Sequence, residues 1–117
     1  MIMAFTNLNY LQTITEGDSA SMRELITLFI EQVPEFIENL KKHLAAEEYL
    51  ELGKEAHKAK SSVMIMGMDN LAHELKTLQL DTISGIKKES YPQHVSNFEY
   101  ECLAAVEELN QVLNKLN

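Results

Sequence analysis

Residues 95–116 read "VSNFEYECLAAVEELNQVLNKL". Val95, Phe98, Cys102, Ala105, Leu109, Val112 and Leu116 recur at steps of three and four, and most of the positions between them are polar. That is the period of a helix with one apolar face, and a strand would alternate at every second residue instead. A helix of this length with a single apolar stripe needs other helices to cover it.

The rest of the chain supplies them. The stretch "MRELITLFIEQVPEFIENLKKHLA", residues 22–45, carries Met22, Leu25 or Ile26, Phe29, Val33, Phe36 or Ile37, Leu40 and Leu44 on one stripe. Ser21 and Glu24 have the spacing of a capping box at its start, and Pro34 is expected to kink this helix because the pattern continues beyond it. A second stripe, Tyr49, Leu52, Ala56, Ala59, Val63 and Met66, ends at Gly67, which is expected in the left-handed conformation. "DNLAHELKTLQL", residues 69–80, buries Leu71, Leu75 and Leu78. "TISGIKKESYP", residues 82–92, reads as a connection, with Ser90 and Gln93 as a further capping box. "TNLNYLQTIT", residues 6–15, is a short helix candidate ahead of the rest. The expected fold is all-α: an antiparallel four-helix bundle with a short extra N-terminal helix.

The 117 residues suit one domain, taken as 1–117. No apolar run is long enough to span a bilayer, and "MIMAFTNLNY" has neither a basic start nor a long apolar stretch, so no membrane association and no signal peptide are expected. A lone cysteine, Cys102, excludes an internal disulfide and fits a reducing compartment, with the cytoplasm as the default. A net charge of −8 without a basic stripe argues against a nucleic-acid partner. The charge is uneven, however. Lys54, Lys58 and Lys60 are three of the ten cations; with Glu55 they give residues 54–60 a balance of +2, leaving −10 elsewhere.

At the centre of that island stands His57. At about 100° per residue it points roughly 130° away from the Leu52–Met66 stripe, toward solvent. Leu50, Gly53, Ser61 and Met64 project within about 40° of the same direction. Solvent faces of helices ordinarily collect Glu, Lys and Gln, whereas this one collects a histidine, two small residues and two apolar ones. Gly53 is costly inside a helix, by about 1 kcal/mol relative to alanine. Close approach by another protein is one reason to keep it, and a frayed first turn is another.

Metal chemistry finds little support. The Glu-x-x-His signature of metal-binding bundles is absent, and "HELKT", residues 73–77, has Thr77 where a zincin needs its second histidine. His43 reads as an edge residue, His73 as a solvated one, and His94 as lying in the first turn of the last helix. Neither a Gly-x-Ser-x-Gly elbow nor a phosphate-binding glycine loop occurs. His57 as a nucleophile remains. Neutral imidazole offers a lone pair, and attack on an activated phosphorus gives a phosphohistidine. Lys60, one turn on, is placed to stabilise the incoming negative charge. With no base, metal site or nucleotide loop beside them, something else must catalyse arrival and departure of the group.

"AHKAKSSVMIMGMDNLAHELKTLQ", residues 56–79, resembles the histidine phosphotransfer (HPt) domain, whose motif is His-x-x-Lys-Gly-Ser/Ala with a glycine ten residues after the histidine. His57, Lys60, Ser62 and Gly67 fall in register, Leu71, Leu75 and Leu78 match the following apolar positions, and Gln79 matches a recurrent polar one. "LITLFIEQVPEFIENLKKHLAAEEYLELGKEAH", residues 25–57, is similar to the family's preceding helix, kink proline and loop. The resemblance implies a phosphorelay intermediate, a phosphocarrier with no catalytic machinery of its own. His57 would take a phosphoryl group from an aspartate on a receiver domain and pass it to another. Lys60 would steady the group, Gln79 would hydrogen-bond nearby, Ser62 would permit close helix packing and Gly67 would end the helix. The implied partners are receiver domains of response regulators and hybrid sensor kinases, which supply a divalent metal such as Mg²⁺; the chain itself would carry no cofactor and act as a monomer. Leu50, Gly53, Lys54, Lys58, Ser61 and Met64 would form the docking face. Ser61 stands where the family has glycine, and Ala59 where it usually has leucine. The rival reading is a helical adaptor that binds a receiver or kinase without carrying phosphate.

Overall fold

A computed structural model describes residues 3–116, so Met1 and Ile2 of the stretch read for a leader, and Asn117, lie outside it. Five α-helices follow in order: α1 (Asn9–Ile14), α2 (Ser19–Ala45), α3 (Tyr49–Ile65), α4 (Asp69–Ser84) and α5 (Tyr91–Lys115). The four long ones form the expected antiparallel bundle, 46 × 21 × 20 Å, with α3 packed most extensively on α4 and α2 bridging α3 and α5. No strand and no helix long and apolar enough to cross a membrane occurs among the described residues.

The stripes do become the core. Ile26, Phe29, Val33, Phe36, Ile37 and Leu40 of α2 meet Leu52, Ala56, Ala59 and Val63 of α3 and the Val95–Val112 face of α5, all buried. Where the period left a choice, Ile26 is buried and Leu25 half-buried, while Phe36 and Ile37 are both in the core. Leu44 and Leu116, at the ends of their stripes, are only half-buried. Phe36 meets Phe98 edge to face with ring centres 6.5 Å apart. α2 runs unbroken through Pro34, which costs it one backbone hydrogen bond but fits the continuous apolar pattern on either side.

The helix ends depart from the sequence reading in three places. α2 is capped by Asp18, not Ser21: the Asp18 carboxylate accepts from the Ser21 amide at 2.9 Å and from its hydroxyl at 2.7 Å. These two hydrogen bonds hold the Asp18 carboxyl below its ordinary pKa. α4 continues through Thr82 to Ser84, where a connection was expected, because Gly85 supplies the left-handed stop (φ +67°). Ser90 makes no side-chain cap; its hydroxyl donates to the Lys87 carbonyl in the short 3-10 turn Lys88–Ser90, and Pro92 enters α5 in its first turn.

The N-terminal segment is tied down at both sides. The Phe5 and Thr6 amides donate to the Glu108 carboxylate at 2.7 and 3.1 Å, and the Asn7 amide donates to the Met66 carbonyl at 3.0 Å. Leu8 and Leu11 then bury themselves completely, which places α1 across the end of the bundle beside the α3–α4 turn. Gly67 closes α3 with φ +72°, as the sequence suggests. The Met68 amide bonds the Val63 carbonyl and the Gly67 amide bonds that of Met64, the pairing of a Schellman motif. A side chain at 67 would also collide with the Asn7 carbonyl, so this glycine serves both the turn and the strap.

Candidate functional site

His57 lies on the outer surface of α3, exposed, with its back to the buried Ala56 and Ala59. Its Nδ1 is 3.2 Å from Oε1 of Gln79 on α4. An amide oxygen only accepts, so this contact places the proton on Nδ1 and leaves the lone pair on Nε2. Two residues that are 22 positions apart in sequence thereby fix the tautomer that can attack an electrophile. Lys60 is half-buried one turn further along α3, and no carboxylate among the described residues pairs with it.

Around this centre Leu50 is 61% and Met64 48% exposed, so the helical phase read from the stripe is right. Ser61 and Lys58 are exposed as well. Lys54, also exposed, pairs with Glu51 at 3.2 Å. Ser61 and Met64 line one side of a groove of about 550 Å³ whose other side is Asn7, Asn9 and Tyr10. The docking residues read from the sequence all lie on α3, and Gln79 on α4; the part of Asn7, Asn9 and Tyr10 in this groove is not legible there, because only the tied-down N-terminal segment brings α1 alongside.

Gly53 does not belong to that exposed face. It is buried, and a Cβ there would overlap Thr82 Oγ1 and sit 3.2 Å from Thr82 Cβ. The close approach that explains this glycine is therefore made by α4, not by another protein. Thr82 in turn donates its hydroxyl to the Gln79 carbonyl at 2.7 Å, so the spacing of α3 and α4 is set within one turn of the His57–Gln79 contact. Ser62 has a structural part too: its hydroxyl donates to Gln32 Oε1 of α2 at 3.0 Å, and its small size lets α2 and α3 approach.

The remaining histidines lie apart from His57. His43 contacts Glu48 at 3.0 Å at the end of α2, and His94 lies 3.4 Å from Glu74. His73 is exposed on α4. No group of three or more His, Cys, Asp or Glu side chains gathers among the described residues.

An exposed histidine whose Nδ1 is held by Gln79, with a lysine one turn on, can carry a group on Nε2. The Hpt domain family model matches residues 24–115. The crystal structure of histidine-containing phosphotransfer protein B (HptB) from Pseudomonas aeruginosa PAO1 is similar over 99% of this chain and 100% of that one, with a TM-score of 0.88. At 20% identity that likeness speaks for the fold alone. Among curated proteins there is no match. With four fifths of its length inside the family model, His57 included, the chain belongs to the histidine phosphotransfer (Hpt) family.

Proposed function

We propose that His57 is the phosphorylated residue of a phosphorelay intermediate, taking its phosphoryl group from a receiver-domain aspartate and passing it to an aspartate on a second receiver. The observation that carries this reading is the 3.2 Å contact between His57 Nδ1 and Gln79 Oε1 on an exposed helix face. In the forward step Nε2 attacks phosphorus, the P–N bond forms, and the P–O bond to the donor aspartate breaks to leave a free carboxylate. The reverse step on another receiver restores the neutral ring. Nδ1 keeps its proton throughout, and Gln79 Oε1 holds that proton better as the ring gains positive character.

The receiver, of a response regulator or a hybrid sensor kinase, supplies the aspartate and a divalent cation such as Mg²⁺ that neutralises the transferring group. The chain itself supplies the nucleophile, its orientation and the Lys60 charge, so it is a carrier rather than a catalyst. Leu50 and Met64 give the docking surface its apolar contacts, and Lys54, Lys58 and Ser61 its polar ones; the lysines suit an acidic receiver pocket.

Incubation with a phosphorylated receiver tests this. Wild-type protein is expected to gain an acid-labile, alkali-stable phosphoryl group, and His57→Gln none. A label that persists in His57→Gln overturns the assignment. Receiver binding with no label on the wild type identifies an adaptor instead.

A further inference from the structure

Lys76 was given no part by the sequence, yet the register of α3 against α4 brings it to the site. The two helices are antiparallel, and His57 faces Gln79 across them. One turn along both, Lys60 has advanced three residues from His57 and Lys76 lies three residues before Gln79, so they stand level with each other. Gly53 against Thr82, one turn in the other direction, keeps the same register. Lys60 and Lys76 line a single surface cleft of about 310 Å³, together with Met64, Asp69, Ala72 and His73.

Two cations on one cleft repel, and the nearby carboxylates do not relieve them. Glu55 is turned toward α2, where it accepts from Asn39, and Glu74 is turned toward α5, where it accepts from Asn97 at 2.6 Å. Glu51 is taken by Lys54. Asp69 lies two turns up α4 from Lys76, roughly 10 Å along the axis, and forms no ion pair with either lysine. In a chain of net charge −8, two lysines sharing one cleft, one turn along the helix pair from the His57–Gln79 contact, make a place prepared for an anion.

We infer that Lys76 is a second cation of the phosphoryl site, closing with Lys60 on the phosphoryl oxygens once His57 is modified. The inference rests on the phosphorylation of His57 proposed above. Two ammonium groups stabilise the dianion directly. Lys76 thus lengthens the life of the phosphohistidine.

The test needs no receiver. Phosphoramidate phosphorylates His57 chemically: its own P–N bond breaks, ammonia leaves, and the bond to Nε2 forms. Decay of the adduct is then followed by ³¹P NMR near pH 7.5 at low salt. Lys76→Gln is expected to decay about two- to fivefold faster than wild type and Lys60→Gln comparably, whereas Lys76→Arg and Lys115→Gln keep the wild-type lifetime. Half-molar NaCl is expected to narrow the differences by screening. Circular dichroism melts check that Lys76→Gln stays folded, as an exposed position predicts. A Lys76→Gln adduct as long-lived as the wild type's overturns the inference, also where receiver affinity falls, since Lys76 then serves docking alone. A wild-type adduct on a residue other than His57 overturns the parent reading and this one with it, a result distinct from equal lifetimes on His57.

Discussion

Thr82 Oγ1 fills the space that a side chain at residue 53 would need, and the same hydroxyl donates to the Gln79 carbonyl at 2.7 Å. A glycine on α3 and a threonine on α4 therefore set the distance between the two helices that carry His57 and Gln79.

Gly53→Ala should consequently destabilise the protein despite alanine's better helix propensity. Alanine favours the helix by about 1 kcal/mol, but overpacking against Thr82 costs about 1–3 kcal/mol, and the Gln79 carbonyl loses its hydroxyl partner. The expected outcome in urea melts is a net loss, partly recovered in Gly53→Ala/Thr82→Ala because the colliding hydroxyl is gone. A more stable single variant would show that α3 and α4 separate without cost.

Gln79→Leu removes the acceptor that holds His57 Nδ1–H while keeping a side chain of similar length on a half-buried position. Transfer from a phosphorylated receiver should slow by about two- to tenfold, the worth of one ordinary hydrogen bond of roughly 0.5–1.5 kcal/mol. Melting should change little. Rapid-quench kinetics on the variant settle it, and unchanged rates would mean that the ring needs no orientation from α4.

Leu50→Glu and Met64→Glu separate docking from stability. Both side chains are about half exposed or more, so melts should shift by no more than about 0.5 kcal/mol. Receiver titrations should show weaker binding, since each carboxylate replaces an apolar contact and meets an acidic pocket. Unchanged affinity in both would move the docking face off this part of α3.

Cys102 is fully buried on α5, and burial pushes its thiol up from 9.0 to about 12. The folded pKa is the higher one, so the contribution of the neutral thiol to stability is complete below about pH 9. It is lost progressively as pH rises toward 12, where the unfolded chain gains a thiolate that the folded chain does not. Urea midpoints should therefore fall from pH 9 to 11 more steeply in wild type than in Cys102→Ala. Iodoacetamide at pH 8 should label the thiol only after unfolding.

The sequence by itself determined which residues form helices and which face each helix buries. Helical period is a local property, so Val95 to Leu109 and Leu52 to Val63 announce their buried side within a few turns, and His57 is legible as exposed for the same reason. Gly67 is legible because a left-handed stop follows from the residues on either side. The cap of α2 is not decided by residue type, since Asp18 and Ser21 are both good caps and only the folded chain shows which one starts the helix. Gly53 and Lys76 could not be read at all. Angular arithmetic on one helix put Gly53 on an open face, because nothing local to α3 says that Thr82, 29 residues later, will cover it. The cleft shared by Lys60 and Lys76, the 3.2 Å contact of His57 Nδ1 with Gln79 Oε1, and the strap from Glu108 to Phe5 and Thr6 all depend on how the helices pack. Register is fixed by the packing of side chains far apart in the chain, so only the tertiary structure decided it.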